Sequence, residues 1–160
     1  MDSVKKMSVV SIGDACMDIY DEPVNKKRVG GNALNVAVYL ARLGLKVSFI
    51  GVIGEDKWGR EIIQALENEG VDFSKVVKKE GQTAVTEVTL NNGERIFTGE
   101  RIGILPELDI GGSEYDYIST HDHVHHSGFT SWKKISPQQD SKMFNKITNH
   151  LRNFAKMDLT

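Results

Sequence analysis

The sequence predicts an α/β protein built on a parallel sheet. Two short apolar runs rich in β-branched residues, 7–12 and 47–53, are typical of strands buried on both faces. A helical pattern follows each run, over residues 32–43 and 57–69. The order strand, helix, strand, helix favours right-handed βαβ units and therefore parallel strands with helices packed against them.

The two helical patterns are amphipathic. The first carries apolar residues at three- and four-residue spacing, at Ala33, Val36, Ala37, Leu40 and Leu43. The second places Ile62, Ile63 and Leu66 inward. Gly44 and Gly70 follow the two patterns directly, as C-terminal caps commonly do.

The middle of the chain predicts a β-hairpin. Residues 83–90 alternate β-branched and polar side chains, Asn92-Gly93 is a turn signal, and residues 95–98 return. One face of this hairpin is polar, so it is either a lid over a ligand or an ordinary edge hairpin. Further along, residues 115–118 and 123–127 flank sheet-like sequence, residues 140–154 form an amphipathic helical pattern, and residues 156–160 resemble the start of a strand.

Composition and charge exclude several function classes. The 160 residues are 39% apolar and 26% charged, with a net charge of −2 and scattered basic residues, so no nucleic-acid partner is predicted. The apolar runs are too short to span a membrane, and the N-terminus lacks the hydrophobic segment of a signal peptide. The single cysteine, Cys16, excludes an internal disulfide and suits a reducing compartment. We therefore expect a cytoplasmic protein without a membrane partner.

A glycine pair and two asparagines form the first candidate binding motif. Gly30 and Gly31 stand where the first helical pattern begins, and glycine lets the backbone approach a ligand closely. Asn32 and Asn35 share one helix face, and each side-chain amide offers a donor and an acceptor. Because a sugar hydroxyl is also both donor and acceptor, this motif predicts a polyol site.

Two aspartates follow the first predicted strand. In open α/β sheets, ligands bind beyond the carboxyl ends of the strands, where Asp14 and Asp18 stand. A carboxylate accepts strong hydrogen bonds from hydroxyl groups, so both are candidates for sugar contact. The alternative is that both cap turns, for which aspartate is favoured.

Other chemistry-bearing residues give weaker signals. The histidines at 121, 123, 125 and 126 suggest a metal site, but no cysteine or second histidine cluster completes a set of ligands, and His150 is distant. Packing and hydrogen bonding explain them better, so we predict no metal site. No phosphate-binding glycine motif occurs, and Cys16 has no neighbouring base to make it a nucleophile.

One pattern carries a family resemblance. Gly30-Gly31-x-Ala33-x-Asn35-x-Ala37, followed by Gly44 and Gly54, resembles the first signature of the ribokinase-like (PfkB) carbohydrate kinases. Residues 13–18 are similar to the segment that precedes it. Within the family, residues 13–20 and 30–39, Thr83-Ala84-x-Thr86-x-Val88 and Arg95-Ile96-Phe97 look most like fructoselysine 6-kinases.

The resemblance implies a ribokinase-like parallel sheet with flanking helices and a lid hairpin at residues 83–98. It implies that Asp18 binds substrate hydroxyls, with Gly31 and Asn35 in the sugar pocket and Asn32 at a neighbouring polar contact. Asp14 and Arg95 are further candidates for substrate binding. The resemblance implies a sugar or ketosamine as the small-molecule partner, and ATP and Mg²⁺ as cofactors of the full-length family. A homodimer is compatible with the resemblance.

The chain departs from the family pattern at one point. The second signature, G-A-G-D with the catalytic aspartate, does not occur in the 160 residues. We therefore expect residues 1–160 to be the sugar-binding N-terminal part of a kinase, incomplete on its C-terminal side, inactive alone, and without a catalytic residue or an ATP or Mg²⁺ site. The alternative is a non-catalytic sugar- or partner-binding module derived from this fold.

Overall fold

The computed structural model describes residues 7–21 and 24–128. The helix predicted over residues 140–154 and the strand start at 156–160 lie outside the described residues. The elements in chain order are β1 (Ser8–Ile12), β2 (Cys16–Tyr20), β3 (Lys27–Gly30), α1 (Asn32–Arg42), β4 (Lys46–Ile50), β5 (Val52–Gly54), α2 (Lys57–Asn68), β6 (Val77–Lys79), β7 (Ala84–Asn91), β8 (Glu94–Arg101), α3 (Gly112–Ile118) and β9 (His123–His126). A short 3₁₀ turn, Leu105–Glu107, lies between β8 and α3.

A parallel sheet with the order β4-β1-β9 forms the centre of the fold, which confirms the predicted α/β class. Val47 and Phe49 of β4 pack with α1 and α2 on one face. Ile50 of the same strand packs on the other face with apolar side chains of residues 104–118. Burial on both faces explains why these strands read as continuous apolar runs.

The apolar run 47–53 is two strands, and its prediction as one strand was wrong. β4 ends at Ile50 and pairs with β1, whereas β5 begins at Val52 and pairs in parallel with β6. Between them, the carbonyl of Gly51 accepts a hydrogen bond from the N–H of Val77 at 2.9 Å. Because the run is buried throughout, its apolar pattern contains no sign that the pairing partner changes.

A second sheet, with the order β3-β2-β7-β8, stands beside the first; we call it the four-stranded sheet. It contains the predicted hairpin, β7 and β8, joined through Asn92 and Gly93 at φ of 51° and 85°. β2 pairs in parallel with β7 and antiparallel with β3. β2 and β3, which attach the hairpin to the rest of the fold, were not predicted from the sequence.

The helices α1 and α2 begin where the sequence places them. α1 begins after Gly31 and α2 after Asp56, whose carboxylate accepts a hydrogen bond from the N–H of Gly59 at 2.8 Å. Residues 115–118, which flanked predicted sheet-like sequence, belong to α3. None of the helices in the described ranges is long and apolar enough to cross a membrane.

Candidate functional site

A cavity of about 570 Å³ lies between the first turn of α1 and the four-stranded sheet. It opens beyond the carboxyl end of β1, where ligands bind in open α/β sheets. All six residues that the sequence analysis selected for substrate binding line it: Asp14, Asp18, Gly31, Asn32, Asn35 and Arg95. The remaining lining residues are Cys16, Ala84, Val85, Thr86, Phe97, Thr98, Gly99, Glu100, Ile102 and Leu105.

Asp18 presents its carboxylate to the cavity from β2. Its Cα is paired with that of Thr86 on β7, which in turn is paired with Glu100 on β8. Within the described part of the chain, the Asp18 carboxylate accepts one weak hydrogen bond, from the thiol of Cys16 at 3.4 Å. Most of its capacity to accept hydrogen bonds is therefore available to a ligand.

Asn32 and Asn35 stand on the first turn of α1, and both are exposed. Neither side-chain amide hydrogen-bonds to a residue that the structure describes. Each amide can therefore donate to and accept from a ligand hydroxyl. Together with Asp18, they give the cavity three polar side chains whose hydrogen-bonding groups are available.

The glycine pair lets the backbone pass close to two aspartates. A Cβ on Gly30 would lie 2.6 Å from Oδ2 of Asp18. At Gly31, φ is +112°, and a Cβ would lie 2.5 Å from the carbonyl oxygen of Asp14. A side chain at Gly31 is therefore disfavoured both by the backbone conformation and by the lack of space.

Asp14 uses its carboxylate to hold α1. The carboxylate accepts hydrogen bonds from the N–H groups of Asn32 at 2.6 Å and Ala33 at 3.2 Å, and from the hydroxyl of Ser127. Asp14 is only 6% exposed. These contacts match the capping role that the sequence analysis gave as the alternative to sugar contact, because they satisfy N–H groups of the first helical turn.

Cys16 lies beside Asp18 in the cavity wall. Burial, followed by the negative charge of Asp18, raises the pKa of its thiol to about 12. The thiol also accepts a hydrogen bond from the hydroxyl of Thr86 at 3.6 Å. Since the thiolate is the nucleophilic form of cysteine, this environment disfavours covalent chemistry at Cys16.

The lining residues of β7 and β8 other than Arg95 were missed as site candidates. Thr86, Phe97 and Glu100 line the cavity, and Phe97 is 69% exposed. Partial signals were present in the sequence, because Thr86 stands in the alternating run and Phe97 follows Arg95 by two positions. What the sequence did not contain was the pairing of β7 with β2, which brings this face to the cavity.

The histidines make hydrogen bonds within the fold. Nε2 of His121 lies 2.8 Å from the hydroxyl of Ser48, and Nδ1 of His125 lies 2.9 Å from the hydroxyl of Ser11. The described ranges contain no group of three or more side chains placed to hold a metal ion. His150 lies outside the described residues.

Comparison with known proteins assigns the family. Residues 6–158 match the family described as pfkB family carbohydrate kinase. The chain belongs to this family. Three cavity residues, Gly31, Asn32 and Asn35, lie in the stretch that resembles the signature of this family, and Asp18 and the hairpin contribute the rest of the polar lining.

The chain is 34–40% identical to parts of three relatives. It is 38% identical over 118 residues to fructoselysine 6-kinase of Escherichia coli K12, covering 74% of this chain and 45% of the relative. It is 34% identical over 136 residues to fructosamine kinase FrlD of Bacillus subtilis 168, covering 82% and 48%. A 5-dehydro-2-deoxygluconokinase of Bacillus velezensis is 40% identical over 90 residues, which cover 50% of this chain and 27% of the relative. The chain spans about half the length of the first two.

Solved structures confirm the fold. The fructokinase of Halothermothrix orenii superposes with a TM-score of 0.73 at 24% identity, covering 93% of this chain and 55% of that one. A fructokinase of Xylella fastidiosa with bound ATP gives a TM-score of 0.52 at 32% identity, covering 58% and 32%. The predicted ribokinase-like sheet with flanking helices is therefore present.

Proposed function

We propose that this chain forms the sugar-binding part of an ATP-dependent sugar kinase that acts on fructoselysine or a similar ketosamine. The observation that carries the proposal is the convergence of Asp18, Asn32 and Asn35 on one cavity with their hydrogen-bonding groups available. Family membership supports sugar phosphorylation as the reaction. The names of two relatives, a fructoselysine 6-kinase and a fructosamine kinase, support a ketosamine as the substrate.

The three polar side chains suit a polyol. The Asp18 carboxylate accepts hydrogen bonds from sugar hydroxyls, and such charge-assisted bonds are about twice as strong as neutral ones. The amides of Asn32 and Asn35 donate to hydroxyl oxygens and accept from hydroxyl protons. Gly31 lets the sugar approach the start of α1, because no side chain stands between them.

The hairpin is proposed to act as a lid. β8 forms an edge of the four-stranded sheet, and Phe97 and Glu100 reach the cavity from it. A lid that closes on the sugar expels water, which strengthens the polar contacts of Asp18 and protects a transferring phosphoryl group from hydrolysis.

ATP is proposed as the phosphoryl donor, as the ATP bound to the Xylella fastidiosa fructokinase supports. ATP supplies the phosphoryl group, and Mg²⁺ neutralises charge on its phosphates. Among residues 7–21 and 24–128, no group of three side chains is suited to a metal ion. We therefore assign neither ATP nor Mg²⁺ to a described residue.

Binding of fructoselysine, measured by isothermal titration calorimetry, tests the proposal. We expect the wild-type chain to bind and Asp18→Asn to bind about tenfold or more weakly, because it loses charge-assisted hydrogen bonds. Asp21→Asn is the matched control, since Asp21 follows the same strand but accepts from Thr89 outside the cavity, at 2.6 Å. Absence of binding, or equal affinity of wild type and Asp18→Asn, would contradict the proposal.

A further inference from the structure

The cavity face of the four-stranded sheet has two chemically different ends. At one end stand Asp18 and Glu100, both in register with Thr86. At the other stands Arg95, in register with Leu90 on β7. Thr86 and Leu90 lie on the same face of β7, four residues apart, so the two ends are separated by about 13 Å along the strand.

An apolar side chain lies between these ends. Phe97 is paired with Val88, midway between Thr86 and Leu90 on β7. Phe97 is 69% exposed and lines the cavity. A ligand that reaches from Asp18 to Arg95 therefore passes over an aromatic surface, which favours an aliphatic linker at that point.

Arg95 is the one cationic side chain among the described residues that line this cavity. Its guanidinium lies 5.7 Å from the ring centroid of Tyr20, and it makes no salt bridge to a residue in the described ranges. Arg101, on the same strand, differs because it is paired with the carboxylate of Glu87. The cavity thus contains a positive charge that forms no ion pair with a described carboxylate.

We propose that Arg95 binds the amino-acid carboxylate of the ketosamine, which the aliphatic linker carries from the sugar across Phe97. The inference rests on the proposed function, because it takes the sugar to be bound near Asp18. Guanidinium and carboxylate groups match in a planar, two-bond geometry, which makes arginine the preferred residue for this recognition. In a sugar acid the carboxylate is part of the sugar itself, so it would remain near Asp18 and away from Arg95.

Calorimetry with three ligands tests this assignment. The ligands are fructoselysine, its decarboxylated counterpart carrying a 5-aminopentyl group on the fructosamine nitrogen, and fructosylglycine, whose carboxylate follows a single methylene. We expect the wild-type chain to bind fructoselysine about tenfold or more tightly than either other ligand. The Arg95→Gln variant should bind fructoselysine and its decarboxylated counterpart with equal affinity. That affinity should equal the affinity of wild type for the decarboxylated ligand.

Arg28→Gln is the matched control, because the Arg28 guanidinium also lies against Tyr20, at 5.8 Å, but does not line the cavity. It should keep the wild-type preference for fructoselysine over the other two ligands.

If wild type binds fructoselysine and its decarboxylated counterpart equally, the proposed role of Arg95 is wrong while the proposed function stands. If wild type binds fructosylglycine as tightly as fructoselysine, a longer linker is not needed to reach Arg95, and that part of the inference is wrong. If Arg95→Gln weakens all ligands alike, its role is structural and the inference fails. Binding of no ligand by wild type would overturn the proposed function, and the inference with it.

Discussion

The carboxylate of Asp14 accepts a hydrogen bond from the backbone N–H of Asn32 at 2.6 Å. This contact joins the residues that follow β1 to the first residue of α1. The hydroxyl of Ser127, which follows β9, donates to the same carboxylate. One buried side chain therefore sets where α1 begins, and with it the positions of Asn32 and Asn35.

Replacing Asp14 with alanine should destabilise the fold and weaken sugar binding together. The substitution leaves two helix N–H groups without their acceptor, for which we expect a loss of about 2 kcal/mol or more in the free energy of unfolding. Urea denaturation measures this. Asp109→Ala, at an exposed position, is the control and should change stability by less than about 0.5 kcal/mol. Equal stability of the two variants would show that Asp14 does not hold the helix.

Gly31→Ala and Gly44→Ala separate backbone strain from lack of space. Both glycines have positive φ, of 112° and 86°, so alanine is strained at each by about 1 kcal/mol or more. Only at Gly31 would the added Cβ also collide, with the carbonyl oxygen of Asp14, since nothing lies within 4 Å at Gly44. Urea denaturation should show the larger loss of stability for Gly31→Ala. A loss no greater than that of Gly44→Ala would mean that the backbone moves aside without penalty.

Alkylation of Cys16 by iodoacetamide should be slow at pH 8. Burial and the charge of Asp18 raise the pKa of the thiol to about 12, so very little thiolate is present. We expect the urea-unfolded chain to react much faster, and Asp18→Asn to react faster than wild type because removing the negative charge lowers the pKa of Cys16. Asp21→Asn should react like wild type. Mass spectrometry measures the alkylation rates. If the native and the unfolded chain are alkylated at the same rate, the prediction is wrong.

Thr83→Val should reduce stability in a way that depends on pH. Burial alone would raise the pKa of Asp56, but hydrogen bonds from Thr83 and the backbone N–H of Gly59 outweigh it and lower the pKa below 3.8. A lowered pKa gives stability that is present above the unfolded value and is lost as pH falls through the folded value.

The difference in unfolding free energy between wild type and Thr83→Val should therefore be largest near neutral pH and decrease below about pH 3.8. Ser119→Ala is the control, because the Ser119 hydroxyl donates to the carbonyl of Asp116 and not to a carboxylate. Urea denaturation between pH 2 and 7 measures both differences. If the difference for Thr83→Val is constant over this range, the hydrogen bond does not act through the charge of Asp56.

Sequence periodicity predicted the elements that carry a clear apolar or alternating pattern. The hairpin of β7 and β8 follows from alternation and from Asn92-Gly93, and α1 follows from apolar spacing after Gly31. β2 and β3 pair with each other close in the chain, but neither carries such a pattern, so both were missed. β3 is short and mostly exposed, and β2 lies in a segment whose glycine and aspartates suggested a loop.

The candidate site depends in part on strand pairing that the sequence does not reveal. Asp18, Asn32 and Asn35 were chosen because glycines, amides and carboxylates beyond a strand suit a sugar, and the structure brings them to one cavity. Their role in binding stays a prediction. Thr86 and Glu100 could not be added from the sequence, since only the register of β2 with β7 places them beside Asp18.

The parallel pairing of β2 with β7 has a consequence for synthesis of the protein on the ribosome. Cys16 and Thr86, which meet in the cavity wall, are 70 residues apart in the chain. At about 5–20 residues per second, roughly 4 to 14 s pass between the translation of one and the other. During that interval β3 covers one side of β2, while the other side has no strand to pair with and is open to other nascent chains. The cavity wall is complete only after β8 has left the ribosome, so ligand cannot assist the earlier steps of folding.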